Sequence, residues 1–125
     1  MSHKIDFTTL NVVAPDTAIT SISVDATAVM QTLTVPKSGK YLVTAQVSGA
    51  SNQDQVYWLQ IGIRKGDTVI SDETIYTHSQ LMTGQHIAVV DATAGDTISS
   101  TMRAVSHSVQ SIYTNACVLV AQKIG

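Results

Sequence analysis

Apolar and polar residues alternate with a period of two over much of this sequence. The clearest stretch is residues 41–47, where Tyr41, Val43, Ala45 and Val47 alternate with Leu42, Thr44 and Gln46. Successive side chains of a strand point to opposite faces of a sheet, so this spacing indicates strands that are buried on one face. Val and Ile number 26, Thr numbers 16 and Glu occurs once, a composition that favours strands over helices. We therefore expect an all-β fold.

Turn-forming residues divide the chain into short segments. The turns are predicted at Pro36–Gly39, Lys65–Asp67 and Ala94–Asp96. The sequence predicts strands over residues 18–24, 28–35, 41–47, 56–64, 68–70, 85–90, 97–105 and 112–121, whereas residues 75–81 are ambiguous. In the strand over 28–35, we expect Val29, Leu33 and Val35 on one face and Met30, Thr32 and Thr34 on the other. Regular short strands of this kind are typical of an antiparallel β-sandwich or barrel of eight to ten strands.

The chain is long enough for one domain and one core. Residues 18–125 are expected to form this domain, and residues 1–17 an N-terminal arm or a short edge strand. No apolar run resembles a signal peptide or a membrane span, which predicts a protein made in the cytoplasm without export or membrane insertion.

Charge and cysteine content exclude several classes of function. The formal net charge is −2, and the seven basic residues are scattered, so they cannot follow a phosphate backbone and no nucleic-acid partner is expected. Cys117 is the only cysteine, which excludes an intrachain disulfide and a zinc site built from cysteines.

Few residues of the sequence suit a catalytic or metal-binding role. Asp72 and Glu73 are adjacent and would point to opposite faces of a strand, so they would not share a substrate. Ser106–Ser108 surrounds a histidine but lacks a nucleophile-elbow motif. A transition-metal site formed by His78 and His86 across Gly84 is one interpretation, but solvated histidines are the favoured one. We therefore expect no enzyme activity, catalytic residue, cofactor or metal.

Three blocks in order resemble the jelly-roll domain shared by the complement globular head and the tumour-necrosis-factor superfamily. In the first, Val29–Val47, a strand leads through a Pro-Gly turn to Tyr41. The second is the hairpin Trp58–Val69. The third, Ile87–Ile98, contains a Gly-Asp turn, and Tyr113–Val120 stands where that family has an aromatic-led closing strand. The resemblance implies an antiparallel jelly-roll β-sandwich that assembles as a homotrimer, with one sheet face turned toward the threefold axis.

Apolar residues on the face opposite the expected core also favour self-association, since a monomer of this size should not expose such a set. The candidate trimer-interface residues are Val56, Trp58, Tyr113, Cys117 and Leu119. The alternative is a strand register shifted by one residue, which would place these side chains inside a single sandwich.

The leading functional hypothesis is a structural virion protein, a trimeric decoration or cement protein that binds and stabilises a bacteriophage capsid. Its partners would be two further copies and a major capsid protein or another virion protein, and Ile5, Phe7 and Leu10 of the arm would contact the capsid. The alternative is a receptor- or glycan-binding module of a tail fibre or tail tip, with Tyr57, Tyr76 and His78 as candidate ligand residues. An enzyme with a site between subunits ranks last.

Overall fold

A computed structural model describes residues 10–15, 19, 21–50, 57–77, 81–105, 109–113 and 116–125 of the chain. Nine strands form in these residues: β1 Asn11–Val13, β2 Thr27–Thr34, β3 Gly39–Ala50, β4 Tyr57–Lys65, β5 Thr68–Thr77, β6 Leu81–Ala92, β7 Thr97–Ala104, β8 Ser111–Ile112 and β9 Val118–Lys123. The expected all-β class is confirmed. No helix in the described ranges has the length and apolar character that crossing a membrane would require.

The strands form two antiparallel sheets. The first has the order β1-β9-β3-β6, with β8 also paired to β3, and the second has the order β2-β7-β4-β5. Except for the β4–β5 hairpin and the pair β8 and β9, strands that follow one another in the chain lie in different sheets, as in a jelly roll. The predicted turns join β4 to β5 and β6 to β7, and Gly66 and Gly95 adopt positive φ values of 58° and 95° there. Glycine tolerates this backbone region because it lacks a Cβ.

The core lies between the two sheets in two clusters of buried side chains. One cluster contains Tyr41, Val43 and Leu119, and the other contains Val47, Leu59 and Met102. The alternation predicted for residues 41–47 is confirmed, since all four of its odd-numbered residues are buried. Tyr41 satisfies its buried hydroxyl by donating to the Lys37 carbonyl at 2.7 Å.

Several element predictions differ from the structure. A β-bulge between Val29 and Gln31 changes the face on which β2 side chains lie, so Met30 is buried and Val29 is exposed. Within the described part of residues 18–24, Ile22 and Val24 make only isolated bridges. The ambiguous stretch is partly strand, because β5 continues to Thr77.

The first and last strands of the described residues pair in the first sheet. Residues 11–13, within the predicted arm, form β1 and pair with β9, which agrees with the edge-strand alternative. The predicted boundary at residue 17 lies outside the described residues. The predicted strand over 112–121 is divided between β8 and β9, which both pair with β3.

Candidate functional site

The outer face of the first sheet has three consecutive rows without a charged side chain. Registers place Val13, Val120, Thr44 and Ile87 in one row across all four strands. A second row contains Asn11, Gln122, Leu42 and Val89, and a third contains Val118, Gln46 and Gln85. We call these eleven residues the uncharged face. The first charged pair, Lys40 opposite Asp91, lies beyond one end of it.

Several apolar side chains of the uncharged face are open to solvent. Val13 is 66% exposed, Ile87 52% and Val89 53%, and Val118 is also exposed. The opposite face of β3, β6 and β9 packs against the core. Because side chains alternate along a strand, the residues of the uncharged face point to solvent. Exposed apolar side chains gathered on one sheet face are a feature of surfaces that bind another protein, which makes the uncharged face a candidate association surface.

The candidate interface residues predicted from the sequence lie in different parts of the structure. Cys117 and Leu119 are buried in the core, the first with its Sγ 3.8 Å from the Ser48 carbonyl oxygen. The alternative of a register shifted by one therefore applies to β9, where Val118 and Val120 occupy the outward positions. Tyr113 is exposed beside the first sheet, and its backbone N–H donates to the Ser48 carbonyl. Val56 lies outside the described residues.

Trp58 lies on the other sheet and is half exposed. It stands in β4 opposite Tyr76 of β5 and therefore belongs to a different surface from the uncharged face. For Tyr57 and Tyr76 the structure describes the backbone, and His78 lies outside the described residues. The predicted interface residues that the structure describes therefore lie in three places: in the core, beside the first sheet and on the second sheet.

The predicted arm residues are only partly described. Leu10 is half-buried, and its carbonyl accepts a hydrogen bond from the Lys123 backbone N–H at 2.9 Å. This bond joins the start of β1 to the end of β9. Ile5 and Phe7 lie outside the described residues.

A second candidate site brings together three polar side chains that the sequence analysis did not group. His86 Nε2 lies 2.7 Å from Ser71 Oγ, and His86 Nδ1 lies 3.3 Å from Glu73 Oε2. One feature of the sequence could have grouped Ser71 with Glu73: they are two residues apart, and residues two apart on a strand share a face. Their approach to His86 depends on the packing of β5 against β6, which the sequence does not reveal.

The favoured interpretation of His86 as a solvated histidine is wrong, because its side chain is 10% exposed and its ring nitrogens lie beside Ser71 and Glu73. His78, its partner in the less favoured metal-site alternative, lies outside the described residues. Among the side chains that the structure describes, no cluster of three or more His, Cys, Asp or Glu residues suits a metal ion.

Comparison with solved structures shows the fold. Eiger, a TNF protein from S. frugiperda, matches with a TM-score of 0.58 and 13% identity over 94% of this chain and 93% of that chain. Murine APRIL matches with a TM-score of 0.59 and 15% identity over 94% of this chain and 100% of that chain. No protein-family model and no curated protein matches the sequence. The chain has the TNF-like jelly-roll fold that its sequence resembles.

Proposed function

We propose that this chain is a structural protein that assembles as a homotrimer through the uncharged face and decorates the capsid of a bacteriophage. The observation on which this depends is the uncharged face itself, which contains six aliphatic side chains: Val13, Leu42, Ile87, Val89, Val118 and Val120. Further copies of the same chain are suitable partners, because three uncharged faces can surround a threefold axis without leaving a buried charge unpaired.

A trimer also suits a decorating role. Three identical subunits match a threefold position of a capsid lattice, where each weak contact is repeated by symmetry. The second sheet would remain available for other contacts. Its outward residues in β2 and β7 are rich in hydroxyls, and Thr32 and Ser99 hydrogen-bond at 2.9 Å. The proposed role requires binding and packing but no chemical step.

The assembly is tested by native mass spectrometry of the purified chain. We expect a mass three times the 13.3 kDa of one chain. Val89→Lys should yield protomers, because it would bury three unpaired charges in the proposed interface. Val29→Lys is the matched control, since Val29 is an exposed valine on β2 of the other sheet. A wild-type protomer, or a trimer that persists in Val89→Lys, would contradict the proposed assembly.

Capsid decoration is tested with phage heads that lack this protein. The wild-type trimer should bind them and raise the temperature at which they open, and Val89→Lys should lose both effects. Deletion of residues 1–9 tests the arm, because it leaves β1 in the chain while removing Ile5 and Phe7. A trimer that neither binds nor protects the heads would eliminate the decorating role but leave the assembly intact.

The alternative is a receptor- or glycan-binding module, and the exposure of Trp58 favours it as a second candidate. Indole and phenol rings stack on sugar rings, and Tyr76 faces Trp58 in the register of β4 and β5. Binding on a glycan array that is lost in Tyr76→Ala, together with no binding to heads, would favour this function over decoration.

A further inference from the structure

Ser71, His86 and Glu73 form a hydrogen-bonded chain at one open edge of the sandwich. Ser71 and Glu73 are separated by one residue on β5 and project to the same side, next to the buried Ile63 and Ile61 of β4. His86 reaches them from β6 of the other sheet. Its side chain is 10% exposed, whereas that of Glu73 is 55% exposed.

The hydrogen-bond partners define the proton positions in the neutral imidazole. An ionised carboxylate only accepts hydrogen bonds, so the Nδ1–H of His86 donates to Glu73. Nε2 is then an acceptor, and the Ser71 hydroxyl donates to it across 2.7 Å. A nucleophile, a base and a group that orients the base are thus connected in the order required to activate a serine.

The hydrogen-bonded chain runs from a nearly buried base to a solvent-exposed carboxylate. The side chain of His86 is 10% exposed, Ser71 is half-buried and Glu73 is exposed. Among the described strands, β5 is an edge strand of the second sheet and β6 is an edge strand of the first. Edge strands direct alternate backbone N–H groups away from their own sheet, and such groups can stabilise an oxyanion. A small ester could therefore approach Ser71 from the solvent side of this edge.

We propose that Ser71 is an activated nucleophile that cleaves small carboxylic esters, with His86 as the general base and Glu73 as a positioning residue. Ser71 Oγ attacks the ester carbonyl carbon and gives its proton to His86 Nε2. The ester C–O bond breaks, and the departing alcohol takes that proton. Water then attacks the acyl-serine, its proton passes through His86 to the Ser71 oxygen, and the carboxylic acid leaves.

This activity is additional to the proposed structural role and does not depend on it. His86 projects from the inner side of β6, while its neighbour Ile87 projects into the uncharged face. Assembly through the uncharged face would therefore not cover the edge at which β5 and β6 meet. The proposal also departs from the expectation, drawn from the sequence, of a protein without catalytic residues.

The test is covalent labelling with a fluorophosphonate probe, in which the serine oxygen replaces fluoride on phosphorus. We expect one adduct on the folded wild-type chain, located at Ser71 by peptide mass spectrometry, and hydrolysis of p-nitrophenyl acetate that the adduct abolishes. Ser71→Ala should remove both signals. Ser111→Ala is the control, because Ser111 is an exposed serine on β8. His86→Gln should slow labelling by about 100-fold or more, the range typical of a lost general base.

Glu73→Ala provides a variant that is expected to fold even if His86→Gln does not, because the Glu73 side chain is more than half exposed. It should slow labelling and also change the ¹⁵N shifts of the His86 ring toward a mixture of tautomers, while the melting temperature stays close to that of the wild type. Absence of an adduct at Ser71, or equal labelling rates in the wild type and Glu73→Ala, would show that the three side chains only connect the sheets.

Discussion

Two buried serines in this sandwich differ in whether their hydroxyls make hydrogen bonds. Ser48 Oγ lies 3.1 Å from Thr83 Oγ1, whereas Ser100 Oγ has no hydrogen-bond partner. Ser100 faces Gln31 in the register of β2 and β7, and Gln31 Oε1 also lacks a partner. A buried polar group without a hydrogen bond lowers stability, because it loses its bonds to water without replacement.

Ser100→Ala should therefore leave the free energy of unfolding unchanged or raise it by up to about 1 kcal/mol. Ser48→Ala should lower it by roughly 0.5–1.5 kcal/mol, because that change removes a hydrogen bond that is made. Urea denaturation of both variants measures the difference. A loss of stability in Ser100→Ala as large as that in Ser48→Ala would contradict the assignment of Ser100 as unsatisfied.

Gly84 allows a close approach between the sheets. It lies on β6 opposite Val47, and a Cβ at this position would collide with the side chains of Ile61 and Ile75. Gly84→Ala should lower the free energy of unfolding by about 1–3 kcal/mol, the usual cost of overpacking a core. Gly125→Ala is the control, because a Cβ there would be 3.5 Å from Lys40, an ordinary contact. Equal stabilities of the two variants would indicate that the sheets separate easily at Gly84.

At the scale of the element, β1 protects the edge of β9. It pairs with β9 at three positions, and hydrogen bonds from Lys123 N to Leu10 O and from Ala14 N to Leu119 O extend this pairing. An uncovered edge strand presents backbone groups that can pair with another chain. The position of β1 thus gives the first residues of the described chain a role in the fold.

Removal of residues 1–13 should lower the melting temperature and increase aggregation, because β9 becomes an exposed edge. Removal of residues 1–9 is the control, since it retains β1. Differential scanning fluorimetry and light scattering measure the two effects. Equal behaviour of the two truncated chains would show that β1 contributes little to the stability of the first sheet.

The positions of the strands were largely predictable from the sequence. Which side chains of a strand face the core was harder to predict. The alternation over residues 41–47 correctly identified the buried face of β3 because that strand is regular. The bulge between Val29 and Gln31 reversed the expected positions of Val29 and Met30. A bulge adds one residue to one strand of a pair, and its place depends on the partner strand.

At the scale of the whole molecule, the proposed assembly through the uncharged face would make stability depend on association. If three copies share this surface, folding and assembly are coupled, and the melting temperature rises with protein concentration. We expect this rise for the wild type and for Val29→Lys, but not for Val89→Lys. Thermal unfolding followed by circular dichroism over a hundredfold range of concentration makes the measurement, and a wild-type melting temperature that does not change would contradict coupled assembly.

The sequence by itself determined the all-β class, the main turns, most of the core face and the resemblance to the TNF-like jelly roll, because these follow from local alternation and from turn-forming residues. Only the tertiary structure decided that Cys117 and Leu119 point inward while Val118 and Val120 join Ile87 and Val89 outside. It also decided that His86 meets Ser71 and Glu73. These outcomes depend on which strands pair and which edges pack, and such contacts join residues that are distant in the chain.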